Sequence, residues 1–138
     1  MGTTLVKHLT PAEIAPPTIL VVEDDTDLAE LFVEALQLEF GAHVLLARTS
    51  EETLHLVKAV VPDLLLFEHT LPGMKGLDLY DQLCLNERLR RIPALIIDAD
   101  GARSLRSYPH LIHLRKPFDL FKVLFLIRQL LSEAHIGS

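Results

Sequence analysis

The sequence predicts an α/β domain built as a doubly wound parallel sheet. Five short runs rich in branched or leucine side chains alternate with segments whose apolar residues recur at helical spacing. One of those runs, Asp63–Glu68 (DLLLFE), is apolar at every inner position, as a central strand covered on both faces must be.

Taken in order, Thr18–Glu23 (TILVVE) is the first strand. Leu28, Leu31, Phe32, Ala35, Leu36 and Leu38 then mark a helix, with Asp25 or Thr26 as its cap and Gly41 as its stop. His43–Ala47 is the second strand. Ser50, with Glu51 and Glu52 in the first turn, opens a second helix through Leu54, Val57 and Ala59 to Val61, and Pro62 ends it. After the third strand, Asp63–Glu68, comes a loop, His69–Gly76 (HTLPGMKG), and a helix carrying Leu77, Leu79, Tyr80, Leu83 and Cys84. Pro93–Asp98 is the fourth strand. Residues 99–109 are punctuated by Gly, Ser and Pro and only weakly helical. Leu111–Arg115 is the fifth strand. Pro117 suits the first turn of the last helix, and Gly137 lies at its end.

The chain has 138 residues, enough for one domain with a large core, and its 49% hydrophobic content argues against disorder. The longest unbroken apolar run, Val123 to Ile127, is five residues, against the roughly 18 that cross a bilayer. The first residues carry no apolar core of signal-peptide type, so a cytoplasmic protein without membrane contact is expected. A single cysteine, Cys84, excludes a disulfide framework and a thiolate zinc site. The net charge of −6 disfavours nucleic-acid binding. Residues 1–17, broken by Pro11, Pro16 and Pro17, read as a leader; residues 18–135 form the domain, and no output domain is expected.

In doubly wound sheets ligands sit at the carboxyl ends of the strands. That rule singles out Asp24, Asp25, Glu68, Asp98 and Lys116, each of which ends a strand or closely follows one. The pieces ILVVEDD, PDLLLFEHTLPGMKG, IPALIIDA and HLRKPF together resemble the receiver domain of two-component response regulators, from about Thr18 to Leu131. The resemblance implies a flavodoxin-like (CheY-like) sheet in the order 2-1-3-4-5. It also implies a site in which a strand-3 aspartate takes a phosphoryl group from a histidine kinase while an acidic pair holds Mg²⁺. By position, Asp24 and Asp25 match the acidic pair, Thr70 the residue whose carbonyl helps hold the metal, and Lys116 the lysine that contacts the phosphoryl oxygens.

The sequence departs from the family at three site positions. Glu68 stands at the acceptor aspartate, Asp98 at the Thr/Ser that ends strand 4, and His113 at the aromatic switch in strand 5. Asp98 and Lys116 are also only 18 residues apart, about one helical turn short, which implies a shortened fourth helix. Glutamate displaces the carboxylate by more than an ångström, a misplacement that can cost about 10²-fold in rate. Asp98 removes a hydroxyl donor and sets a carboxylate where a phosphoryl oxygen would lie. Together they point to a degenerate phosphorylation site of Glu68, Asp98 and Lys116. Glu68 carries a single charge, so it imitates a phosphoryl group only in part.

Four carboxylates against one lysine cannot all ionise cheaply. Three outcomes stand open. Lys116 pairs with Asp98 while the rest turn to solvent, the plainest of the three. Weak Mg²⁺ sits among Asp24, Asp25, Glu68 and Thr70. Or the group shares a proton. The expected function is an atypical single-domain receiver, not an enzyme, that acts by protein–protein contact without phosphorylation. The alternatives are a conventional phosphoryl-accepting receiver and a small metal-binding enzyme using the carboxylate cluster.

In the last helix Leu120, Leu124, Ile127 and Leu131 form one stripe, and Phe121, Phe125 and Leu126 fall outside it. That surplus either covers the shortened helix or makes an interface, for a homodimer or for a kinase or effector. Seven scattered histidines show no metal-ligand spacing, and His69 reads as a loop residue. Cys84 reads as core and Asp63 as a surface cap. Arg88, Arg90, Arg91, Arg103 and Arg106 are the one basic concentration, taken as a solvated face.

Overall fold

The computed structural model describes residues 15–98 and 108–137, with side chains to residue 133. The leader falls mostly outside the described residues, as does the weakly helical stretch between the fourth and fifth strands, so the shortened fourth helix lies outside them too.

Five strands form one parallel sheet: β1 (Thr18–Val22), β2 (His43–Ala47), β3 (Leu64–Glu68), β4 (Ala94–Ile97) and β5 (Leu111–Leu114). Their order is β2-β1-β3-β4-β5, the flavodoxin-like arrangement that the resemblance implied. Every residue of β3 and β4 is buried, as a strand with helices on both faces requires. The helices are α1 (Thr26–Phe40), α2 (Ser50–Leu56), α3 (Gly76–Leu83), α4 (Glu87–Arg90) and α5 (Leu120–Gly137).

The two sheet faces carry separate cores. Residues 19, 21, 64, 66, 95 and 97 meet Phe32 and Leu36 of α1 and Val123 and Ile127 of α5. Residues 20, 22, 65, 67, 94 and 96 meet Leu77, Leu79, Tyr80 and Leu83 of α3 and Leu89 of α4. Strand alternation sorts them, because successive side chains point to opposite faces.

Local chemistry sets the ends of most elements. The Asp25 carboxylate accepts the Leu28 N–H at 2.9 Å and so caps α1. Gly41, at φ 61, closes it with its N–H on the Gln37 carbonyl. Thr49, one residue before the expected start, caps α2. That helix stops at Leu56 rather than running to Val61, because residues 57–59 close into turns. Asp63 accepts the Thr18 N–H at 2.7 Å and ties β3 to the start of β1.

Three expectations for the end of the chain change. Lys116–Pro117 is a cis peptide and Pro117 precedes the helix; α5 starts at Leu120, behind Asp119, whose carboxylate accepts the Phe121 N–H at 2.8 Å. The buried stripe is Val123, Ile127 and Leu130, with Leu120, Leu124 and Leu131 at its flanks. Phe121 and Phe125 are 79% and 57% exposed, but Leu126 packs against the α1–α5 core and is not free of it.

Candidate functional site

Glu68 is the last residue of β3, and Glu23 is the residue after β1. The register sets Val22 beside Phe67, so the next step along both strands sets Glu23 beside Glu68. By alternation the two share the face of Ile19, Val21, Leu64 and Leu66, and they are 3% and 4% exposed. Two carboxyl groups on neighbouring strands, both out of water, do not both ionise freely.

Burial pushes Glu23 up to about 7, against the 3.1 Å hydrogen bond that its Oε2 accepts from the Asp25 N–H, and the charge of Glu68 adds to the rise. Glu68 is also raised by burial, with Lys116 pulling it back. Lys116 Nζ lies 3.1 Å from Glu68 Oε1. Burial alone would lower Lys116, but Glu68, then Asp98 and Glu23, hold it above its ordinary value. The Lys116 contact has the distance of an ion pair but not the direction of a hydrogen bond. Both Glu68 oxygens and Glu23 Oε1 are therefore buried without a hydrogen-bond donor among the described residues. A proton on Glu23, directed at Glu68, supplies the donor. Below about pH 7 Glu23 is thus neutral, and its proton and the Lys116 ammonium both face Glu68.

The other expected site residues are placed as follows. Asp24 is exposed, and its main-chain carbonyl accepts from Arg48 Nη2 at 3.0 Å; the same nitrogen reaches Thr26 Oγ1 at 2.5 Å. The Asp25 carboxylate is committed to the α1 cap. Thr70 is exposed in the loop after β3. Asp98, half-buried after β4, takes a left-handed φ of 63° while its N–H donates to the Leu114 carbonyl at 2.8 Å. His113 is half-buried on β5, beside Ile96. Burial lowers His69, with Lys75 and the neighbouring His113 adding to the effect.

The pairing of Lys116 with Asp98 is not found. Glutamate is one methylene longer than aspartate, and Glu68 reaches the ammonium instead. Nor do the remaining carboxylates all turn to solvent, since Glu23 and Glu68 are buried. Among the described residues no three His, Cys, Asp or Glu side chains gather so as to hold a metal ion. Within the expected donor set, Glu68 is paired with Lys116, and one oxygen of Asp25 is engaged in the α1 cap.

Glu23 is not among the residues expected from the sequence, because the adjacent Asp24-Asp25 already supplies the acidic pair that the resemblance requires. The signal was the alternation Ile19, Val21, Glu23, which puts an acid on a core face. Gly76 completes the support. Its N–H donates to the His69 carbonyl at 2.6 Å, and a Cβ there would lie 2.7 Å from the Glu68 carbonyl oxygen and 2.8 Å from His69 Cα. Only glycine lets the loop fold this closely onto the end of β3.

Comparison with known proteins agrees with the sheet order. The response regulator receiver domain family matches residues 19–124. The chain belongs to this family, whose members are the receiver modules of two-component signalling. It is 25% identical over 123 residues to the polar-differentiation response regulator DivK of Brucella anthropi, covering 86% of this chain and 99% of that one. Other curated relatives are longer, and the chain spans 6%, 36% and 59% of three of them. A response regulator from Chloroflexus aurantiacus has a solved structure that is 27% identical, with a TM-score of 0.73 over 86% of this chain and 99% of that one. The receiver domain of a sensor histidine kinase from Pseudomonas aeruginosa shares the fold, with 21% identity and a TM-score of 0.69 over 86% of this chain and 99% of that one. It was solved with magnesium coordinated in its active-site cleft.

Proposed function

We propose that this chain is an atypical receiver that signals by protein–protein contact in one fixed state, with built-in charge in place of phosphorylation. The ion pair between Glu68 and Lys116 carries this reading. The lysine that the family resemblance assigns to the phosphoryl oxygens is already neutralised by the residue at the acceptor position. Asp98, at the hydroxyl position, places a second negative charge near Lys116, as its upward pull on that group indicates. His113 replaces the aromatic switch. The metal positions implied by the resemblance, Asp24, Asp25, Glu68 and Thr70, are read as not recruiting Mg²⁺, since Lys116 supplies the positive charge.

Its partners are another signalling protein, a histidine kinase or an effector, and a second copy meeting it through α5, where Phe121 and Phe125 face water. As a receiver module it is placed in the cytoplasm; among the described residues no helix is long and apolar enough to cross a membrane. Acyl-phosphate phosphorylation tests the reading. Incubation with acetyl phosphate and Mg²⁺, followed by intact-mass measurement, is expected to leave the mass unchanged. A gain of one phosphoryl group that disappears in Glu68→Gln would establish a working acceptor and overturn it.

A further inference from the structure

A second feature lies at the opposite end of the sheet from Glu68. There the chain entering β4 and β5 meets the C-terminal ends of α3 and α4 around a cleft of about 350 Å³. That volume falls within the range of small-molecule sites, about 300–1,000 Å³. Tyr80 and Cys84 form one wall, Tyr108 and His110 another, and Arg90 and Arg91 stand at the rim.

The walls are held in place. The rings of Tyr80 and Tyr108 meet edge to face with centroids 5.3 Å apart, and the Tyr108 hydroxyl donates to the Asp81 carboxylate. Arg90 Nε donates to the Cys84 carbonyl at 3.0 Å, which anchors the guanidinium and leaves its terminal nitrogens available. The Arg91 guanidinium makes no hydrogen bond or ion pair with the described residues. Among the described residues no carboxylate lines the cleft. In a chain of net charge −6, two guanidinium groups without a carboxylate partner among the described residues, over an aromatic, largely apolar hollow, stand out as a local excess of positive charge. Of the arginines that read as a solvated face in the sequence, Arg90 and Arg91 are exposed and also form the rim of this cleft, while Arg103 and Arg106 lie outside the described residues.

We propose that this cleft binds a small aromatic carboxylate. Its ring lies against Tyr108 and the edge of Tyr80, and its carboxylate is paired by Arg90 and Arg91. Planar guanidinium forks match a carboxylate in two-point geometry, and aromatic rings favour edge or offset contacts with the tyrosines. This binding site is independent of the Glu68 site and of whether that site takes phosphate.

2-Naphthoate is the probe, followed by amide and arginine side-chain NMR signals. Saturable shifts confined to the region of Tyr80, Cys84, Arg90 and Tyr108 are expected, with a Kd of about 1 mM. The double variant Arg90→Gln, Arg91→Gln, checked for an unchanged circular dichroism spectrum, should weaken binding about tenfold. Cys84 is the chain's single cysteine and lines the cleft, so saturating 2-naphthoate should also slow its alkylation by iodoacetamide. The proposal is overturned by shifts that do not saturate or lie elsewhere, or by equal affinity for inorganic phosphate or cyclohexanecarboxylate. Undiminished binding in the double variant, or unprotected Cys84, overturns it as well.

Discussion

At the end of β3 the Glu68 carboxylate is held between a proton on Glu23 and the ammonium of Lys116. The two neighbours can be separated by mutation. Lys116 is 46% exposed and Glu68 only 4%, so losing one partner is not equivalent to losing the other. Lys116→Met strands a buried carboxylate and should cost about 2–3 kcal/mol in urea unfolding, below the ~3–5 of a fully buried pair because half of Lys116 meets solvent. Glu68→Gln releases a lysine that turns to water, and should cost under about 1 kcal/mol. Glu23 adds a pH dependence. Its folded value of about 7 lies above its ordinary 4.5, so the folded state holds the proton more tightly. Its stabilising contribution is full below about pH 4.5 and is lost as pH rises to 7, with a slope of up to about 1.4 kcal/mol per pH unit. Glu23→Gln offers a permanent N–H donor to Glu68. It should flatten that slope and leave the variant more stable than the parent at pH 8.

The elements differ in how openly the sequence declared them. All five strands were legible to within a residue at each end, because β-branched and leucine runs between polar breaks have few other uses. The first helix was legible to its caps, since Asp25 and Gly41 are local signals that act on their own neighbours. The short α4 was not, because four residues, ERLR, hold too little periodicity to announce a helix. Nor was the burial of Glu23, which depends on which way a side chain leaves the strand end. The loop from His69 to Gly76 was legible as a motif, and the reason for its last glycine came only with the backbone approach. Gly76→Ala should therefore cost about 1–3 kcal/mol in thermal unfolding, with the largest amide shifts at Glu68 and His69, since backbone must move to admit the methyl group.

At the scale of the whole molecule, one sheet face is closed by contacts between its two helices. Arg128 of α5 pairs with Glu39 of α1 and lies over the Phe40 ring at 5.7 Å, so the two helices on that side clasp each other. Phe121 and Phe125, one turn apart, lie outside the clasp. Sedimentation velocity should show concentration-dependent association of the parent, and Phe121→Glu with Phe125→Glu should give a monomer at every concentration with unchanged thermal stability. The backbone at Asp98 constrains the molecule in another way. Its left-handed φ of 63° is a conformation that aspartate visits and β-branched residues avoid. Threonine at 98 would meet a backbone already turned against it. Placing threonine at 98 thus leads uphill unless the turn after β4 is rebuilt with it: the backbone acts as a ratchet against that single step.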